Sequence, residues 1–292
     1  MEIFTKIRQT FTQGTIPIKV IYINVGIFLL TGLINVVNQL FQIGNMEFMQ
    51  YFYMPSSYTL FLFRPWTILT YMFLHADLWH ILFNMLWLYW FGIIFLQFFN
   101  ERQFGGLYLM GGIVGAIFFL VSYNLFPYFR NKPYTEYLLG ASAAVMAIVF
   151  AVSFYRKDYA INLLFLGRIK LIYLAMIALA IDLLSVTSEN AGGHLAHIGG
   201  ALFGILFATQ YSRGKDLTVF VNRLIDNLVN WKKRRRVKMK VVYRKPETDV
   251  EYNLRKRTEA DLLDEILDKL KRSGYQSLTA EEKRVLFDAS KK

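Results

Sequence analysis

Leu138-Leu139-Gly140-Ala141-Ser142-Ala143-Ala144-Val145-Met146 opens an apolar run that continues to Tyr155, and Ser142 is the single polar side chain in its opening stretch. Serine in a membrane helix usually packs as a small residue or bonds a carbonyl one turn back. Its company here is unusual. The chain's four histidines, His75, His80, His194 and His197, all lie near the starts of two other apolar runs.

The chain has 292 residues, 55% of them hydrophobic, too apolar for a soluble domain of this size. Several bilayer crossings are implied. Cysteine is absent, which excludes disulfides, thiolate nucleophiles and thiolate metal sites. The formal charge of +12 gathers outside the apolar runs and after the last of them. That distribution fits membrane orientation and anionic lipid rather than nucleic acid.

Residues 1–17 form a cytoplasmic N-terminal segment carrying Lys6 and Arg8, without the apolar core and cleavage site of a signal peptide. A first span runs from about Ile18 to Leu40. Residues 41–66 are too interrupted by Pro55 and Pro65 to span and too apolar to float free, so they form a structured interfacial loop. Further spans cover about Leu78 to Phe98, Leu107 to Phe126, Leu138 to Tyr155, Ile169 to Val186 and His194 to Tyr211. The expected fold is an all-α, six-helix membrane domain over residues 18–211.

Six crossings place both ends on one side. The basic residues of the two ends and of the loop with Arg156, Lys157, Arg168 and Lys170 put that side in the cytoplasm. Arg130 and Lys132 are a mild counter-signal. Spans two, four and six then start on the outer side, so His80, Ser142 and His197 share one shallow layer. Small residues at four-residue spacing, Ala143, Ala147 and Ala151 on span four and Ala196, Gly200 and Gly204 on span six, permit close helix approach. Gly111 and Gly115 on span three do likewise.

Residues 212–257 comprise an amphipathic helix, with Leu217, Phe220, Val221, Leu224, Leu228 and Trp231 on one face, and a polybasic linker around Lys232-Lys233-Arg234-Arg235-Arg236 suited to anionic lipid. A flexible stretch to about Arg257 precedes a cytoplasmic helical hairpin over 258–292, with helices Thr258 to Arg272 and Thr279 to Ser290. Gly274 stops the first helix, and Thr279 with Glu282 has capping-box spacing for the second.

A serine hydroxyl is a weak nucleophile and needs a base; an imidazole can accept its proton and later return it to a leaving amine. Ser142 and His197 can supply that pair. His80 and Asn84 are four apart and share a helix face, where their donors could hold a developing oxyanion, aided by backbone N–H groups at the start of span four. Gly199 and Gly200 leave room beside His197 for another backbone or a substrate.

The runs His75-Ala-Asp-Leu-Trp-His80-Ile-Leu-Phe-Asn84, Gly140-Ala-Ser142 and Ala196-His197-Ile-Gly199-Gly200, in that order, resemble the rhomboid family of intramembrane serine proteases, as does Arg64-Pro65-Trp66 ahead of span two. The likeness covers about Ile18 to Tyr211. It implies cleavage of transmembrane segments of other proteins by a Ser142–His197 dyad, with His80 and Asn84 stabilising the oxyanion and Gly140, His75, Gly199, Gly200 and Met146 in support. It implies a cavity open to the outer side and neither metal nor organic cofactor. The chain departs from the family at Ala143, commonly glycine, and at Met146, often an aromatic ring stacked on the histidine. Asp182 in span five is an ionisable residue that could orient His197 or serve as a structural hydrogen-bond acceptor.

Two other readings stay open. The histidines could bind zinc, which leaves Ser142 and Asn84 unexplained. The same fold could also hold membrane helices without cutting them. The expected location is the cell's inner membrane; the oligomeric state and natural substrate are not legible.

Overall fold

The computed structural model describes residues 2–42, 47–132, 135–163, 167–234 and 248–290. The chain is mostly helical: α1 (Glu2–Gln13), α2 (Ile16–Leu40), α3 (Glu47–Gln50), β1 (Met54–Pro55), α4 (Tyr58–Phe63), α5 (Thr67–Thr70), a 3₁₀ turn at Tyr71–Phe73, α6 (Leu78–Phe95), α7 (Glu101–Leu125), α8 (Pro127–Arg130), β2 (Tyr137–Leu138), α9 (Ser142–Tyr155), β3 (Ala160–Leu163), β4 (Gly167–Lys170), α10 (Leu171–Leu184), α11 (Ala191–Ser212), α12 (Val219–Arg234), α13 (Asp249–Ser273) and α14 (Ala280–Ala289). It divides into two units, residues 1–234 and 235–292.

Helices α2, α6, α7 and α11 are long and apolar enough to cross a bilayer. The runs read as spans four and five fold into shorter helices, α9 and α10, of 14 residues each. At about 1.5 Å per residue each rises only about 21 Å. The missing ends are taken by strands. Leu138 pairs with Met54, tying the start of the fourth run to the first loop, and Ile169 pairs with Ile161 in a hairpin.

In the described part of the loop before α6, aromatic side chains make defined contacts. Trp66 donates its indole N–H to the Tyr51 carbonyl at 2.8 Å, and the Arg64 guanidinium lies 3.9 Å from the centre of the Tyr51 ring. The Arg64 and Trp66 side chains therefore close on one residue.

Helix α9 is the hub. Every side chain from Ala143 to Ser153 is buried, and the helix packs against α11, α7, α6 and α10. Small residues make this possible: a Cβ on Gly200 would collide with the Ala143 carbonyl oxygen and one on Gly204 with that of Ala147. A Cβ on Gly115 would lie 2.5 Å from the Ala143 methyl. Backbones α7, α9 and α11 thus touch directly, which is where dispersion contact drives helix association in a bilayer.

After α11, Asp216 fastens the chain to the start of α7 by accepting from Gln103 Nε2 at 2.9 Å and from the Thr218 hydroxyl. Arg102 pairs with Asp226 of α12 at 3.1 Å. Phe220 and Leu224 of α12 remain exposed, consistent with the expected amphipathic helix. The side chains of Leu228, Trp231 and the polybasic run Lys232 to Arg236 lie outside the described residues.

Of the stretch expected to be flexible as far as Arg257, residues 235–247 lie outside the described residues, and Asp249 to Arg257 are helix. The Thr248 side chain accepts from the Glu251 N–H while the Glu251 carboxylate accepts the Thr248 N–H at 2.9 Å, so α13 starts at Asp249 rather than Thr258. Gly274, at φ +77°, follows the last turn of α13 as expected, and Thr279 with Glu282 caps α14. Lys269 Nζ meets the Glu282 carboxylate at 2.8 Å across the hairpin.

Candidate active site

Three helix starts build the site. Asp77 caps α6 by accepting the His80 N–H at 2.9 Å, which fixes the helical register of His80 and Asn84. Gly140, at φ +119°, takes a backbone conformation that a side chain would strain, and its N–H donates to the Tyr71 carbonyl at 3.0 Å. Ser142 follows as the first residue of α9, whose start carries no side-chain cap. His197 stands in the second turn of α11.

A cavity of about 710 Å³ is lined by His80, Asn84, Ser142, Met146 and His197, together with Asp182. It therefore brings together the nucleophile, base and oxyanion candidates read from three separate stretches. A Cβ built on Gly140 would stand 2.7 Å from His80 Nε2 and 3.7 Å from Ser142 Oγ, so these two atoms flank the same glycine.

Hydrogen-bond partners bear on where the protons sit. The Ala76 N–H donates to His80 Nδ1 at 3.4 Å, so a neutral His80 carries its proton on Nε2, the atom beside Gly140. Asn84 Nδ2 donates to the His80 carbonyl at 2.9 Å and keeps a second N–H. His194 Nδ1 and His197 Nδ1 lie 2.7 Å and 2.9 Å from one and the same oxygen, Oδ1 of Asp182. Both His80 and Asn84 can thus present a donor to an anion in the cavity.

The supporting residues sort differently. Met146 lines the cavity and Gly140 shapes it. Gly199 and Gly200 do not open space for substrate: their Cβ positions fall on Phe118 of α7 and on the Ala143 carbonyl of α9, so the room beside His197 is filled by neighbouring helices. The Ala143 methyl lies against Gly115 on α7, and Ala143 does not line the cavity. His75 is buried off the cavity lining, its ring edge-on to His80 with centroids 5.1 Å apart. Burial, then the neighbouring His80, pushes its imidazole down from 6.5 to about 4.

Among the described residues, the histidines and carboxylates whose potential ligand atoms lie within 4.8 Å of one another are Asp182, His194 and His197, a group without His75 and His80. The four-histidine metal cluster does not assemble. The sequence reading passed over the apolar wall of the cavity, Trp79, Phe83 and Trp87, although their four-residue spacing marks one face of α6. Asn190 and the strand residues Tyr137 and Leu138 also line it.

The Rhomboid domain family matches residues 63–214, just over half the chain, and a family of unknown function (DUF6576) matches residues 247–292. RHOMBOID-like protein 12, mitochondrial, of Arabidopsis thaliana is 25% identical over 71% of this chain and 61% of its own length. Presenilin-associated rhomboid-like protein, mitochondrial, of Homo sapiens is 28% identical over 47% of this chain and 35% of its own. The chain thus spans less than two thirds of the length of these relatives. With the family match running from just before Arg64 to the end of α11 and enclosing the whole cavity, the chain belongs to the rhomboid family.

Proposed function

We propose that this protein is an intramembrane serine endopeptidase that cleaves transmembrane segments of other membrane proteins. The observation that carries this reading is the single cavity lined by Ser142, His197, His80 and Asn84.

In this mechanism Ser142 Oγ attacks the scissile carbonyl carbon while its proton passes to His197 Nε2. The oxyanion accepts from His80 Nε2–H, Asn84 Nδ2–H and a backbone N–H at the uncapped start of α9. Collapse breaks the C–N bond, and His197 returns the proton to the leaving amine. Water, deprotonated by His197, then releases the acyl group from Ser142. Polar chemistry of this kind inside a membrane needs a pocket that water reaches, and the cavity supplies the volume.

In this reading α2, α6, α7, α9, α10 and α11 make six crossings, both termini are cytoplasmic, and the cavity opens to the outer side of the cell's inner membrane. The basic run Lys232 to Arg236, which begins at the end of α12, holds anionic lipid. The relatives' mitochondrial names are theirs, and membrane fractionation of the native host tests the location.

The test of activity is cleavage of a tagged transmembrane substrate in proteoliposomes, with and without chelator. Wild type cuts in both, and Ser142→Ala and His197→Ala each lose about 10³-fold or more in kcat. Equal cutting by Ser142→Ala would overturn the serine assignment. Loss on chelation alone would favour a metal at Asp182, His194 and His197, and failure of Ser142 to take a fluorophosphonate would favour a relative that binds helices without cutting them.

A further inference from the structure

Asp182 is the only acidic or basic residue of α10, in the run Leu171–Leu184. Its side chain is 7% exposed. An ionised carboxylate buried in an apolar helix is expensive unless its lone pairs find donors. Here the donors come from one face of one neighbouring helix: His194 and His197 stand three apart on α11 and aim Nδ1 at the same oxygen, at 2.7 Å and 2.9 Å.

That geometry has a chemical consequence. A carboxylate oxygen only accepts, so each bond requires its histidine to carry a proton on Nδ1. A neutral imidazole has a single N–H. Once that proton is on Nδ1 of His197, Nε2 keeps a lone pair and can act as a base; in the other tautomer Nε2 would carry hydrogen and could not accept from a hydroxyl.

We propose that Asp182 is a positioning residue for the reaction: it holds His197 in the Nδ1–H tautomer and in a fixed ring orientation, and His194 serves as a second donor that keeps the carboxylate aimed. This rests on the protease reading for its catalytic meaning, but the tautomer is a property of the resting protein. His194 does not react. Its bond to Oδ1 compensates the buried charge and restricts rotation of the carboxylate about χ2.

The experiment uses the full chain, labelled with ¹⁵N-histidine, in lipid bilayers at neutral pH. In wild type, magnetic resonance finds His197 protonated on Nδ1 with a downfield Nδ1 proton and an unprotonated Nε2; a His197→Gln spectrum assigns the signals. In Asp182→Asn those signals move. On a transmembrane substrate the same variant loses on the order of 10²-fold in kcat with KM changed by less than about twofold. Asp182→Glu recovers part of the loss and His194→Gln loses less than Asp182→Asn.

A wild-type His197 protonated on Nε2 overturns the proposal, whatever the activity and even if the Asn variant does not fold. A kcat for folded Asp182→Asn within about threefold of wild type does the same, because a tautomer lock is worth more than that. Stoichiometric zinc in purified wild type, lost in Asp182→Asn, also overturns it, since the Nδ1 atoms would then be ligands. Wild type that neither cuts substrate nor takes a fluorophosphonate sinks the protease reading instead, and the resonance result still decides the tautomer.

Discussion

Helices α2 and α11 have opposite characters. The apolar window of α2 has a mean hydropathy of 2.2 and is 6% buried within the protein; that of α11 has 1.4 and is 67% buried. The more hydrophobic helix is the less packed. In water this would be paradoxical, but lipid tails are as apolar as leucine, so hydrophobicity puts a helix into the bilayer without choosing its neighbours. Backbone proximity chooses them. Gly200 and Gly204 of α11 sit against carbonyls of α9, whereas Gly26 and Gly32 of α2 have no neighbour among the described residues within 4 Å of a Cβ position.

Glycine substitutions set the two regions against each other. Gly200→Leu brings the largest effect: the obstacle is the Ala143 backbone, which cannot swing aside as a side chain can. Overpacking typically costs about 1–3 kcal/mol, and the upper end or more is expected here. Both thermal midpoint and cleavage should collapse. A variant that keeps its midpoint would mean that α9 and α11 are not in backbone contact.

Gly140→Ala comes next and separates site from scaffold. The added methyl meets His80 Nε2 at 2.7 Å in a positive-φ conformation. Strain of about 1–3 kcal/mol is expected. Cleavage should fall by about 10²-fold, because displacement by about an ångström at a reacting centre costs that much. Unchanged kcat would remove His80 from the oxyanion site.

His75 tests how the packed region tolerates charge. Its imidazole titrates near 4 when folded and near 6.5 when free. The unfolded chain therefore binds the proton first, so stability is complete above pH 6.5 and declines as pH falls towards 4. His75→Gln should shrink that decline in thermal midpoint. An identical decline would assign it to other groups.

Gly26→Leu and Gly32→Leu should do least. With open space around both, changes stay within about 0.5 kcal/mol and cleavage is retained. A large loss would show that α2 has a partner face the packing does not reveal.

Much of the site was legible because its residues come in short runs with helical spacing. His80 and Asn84 lie four apart, and Ser142 heads its run; chain order and alternating direction led to the expectation that the three groups share one depth, and they line one cavity. Gly199 and Gly200 left room for another backbone or a substrate, and spacing could not choose between the two because it gives a helix face but not what the face meets; neighbouring helices fill the room. The early start of α13 was available in the Thr248–Glu251 pair, masked by the charge of the stretch around it.

The amino-acid pattern alone determined that the chain is a helical membrane protein, the order of its apolar runs, and the polar groups those runs carry, since these depend on composition and on the helical repeat. Only the tertiary structure decided that strands shorten α9 and α10 and that Gly199 is filled by α7. It alone decided that the Asp182 carboxylate receives His194 and His197 together. Those outcomes depend on how helices are rotated and how far apart they stand, quantities set by contacts between residues distant in the chain.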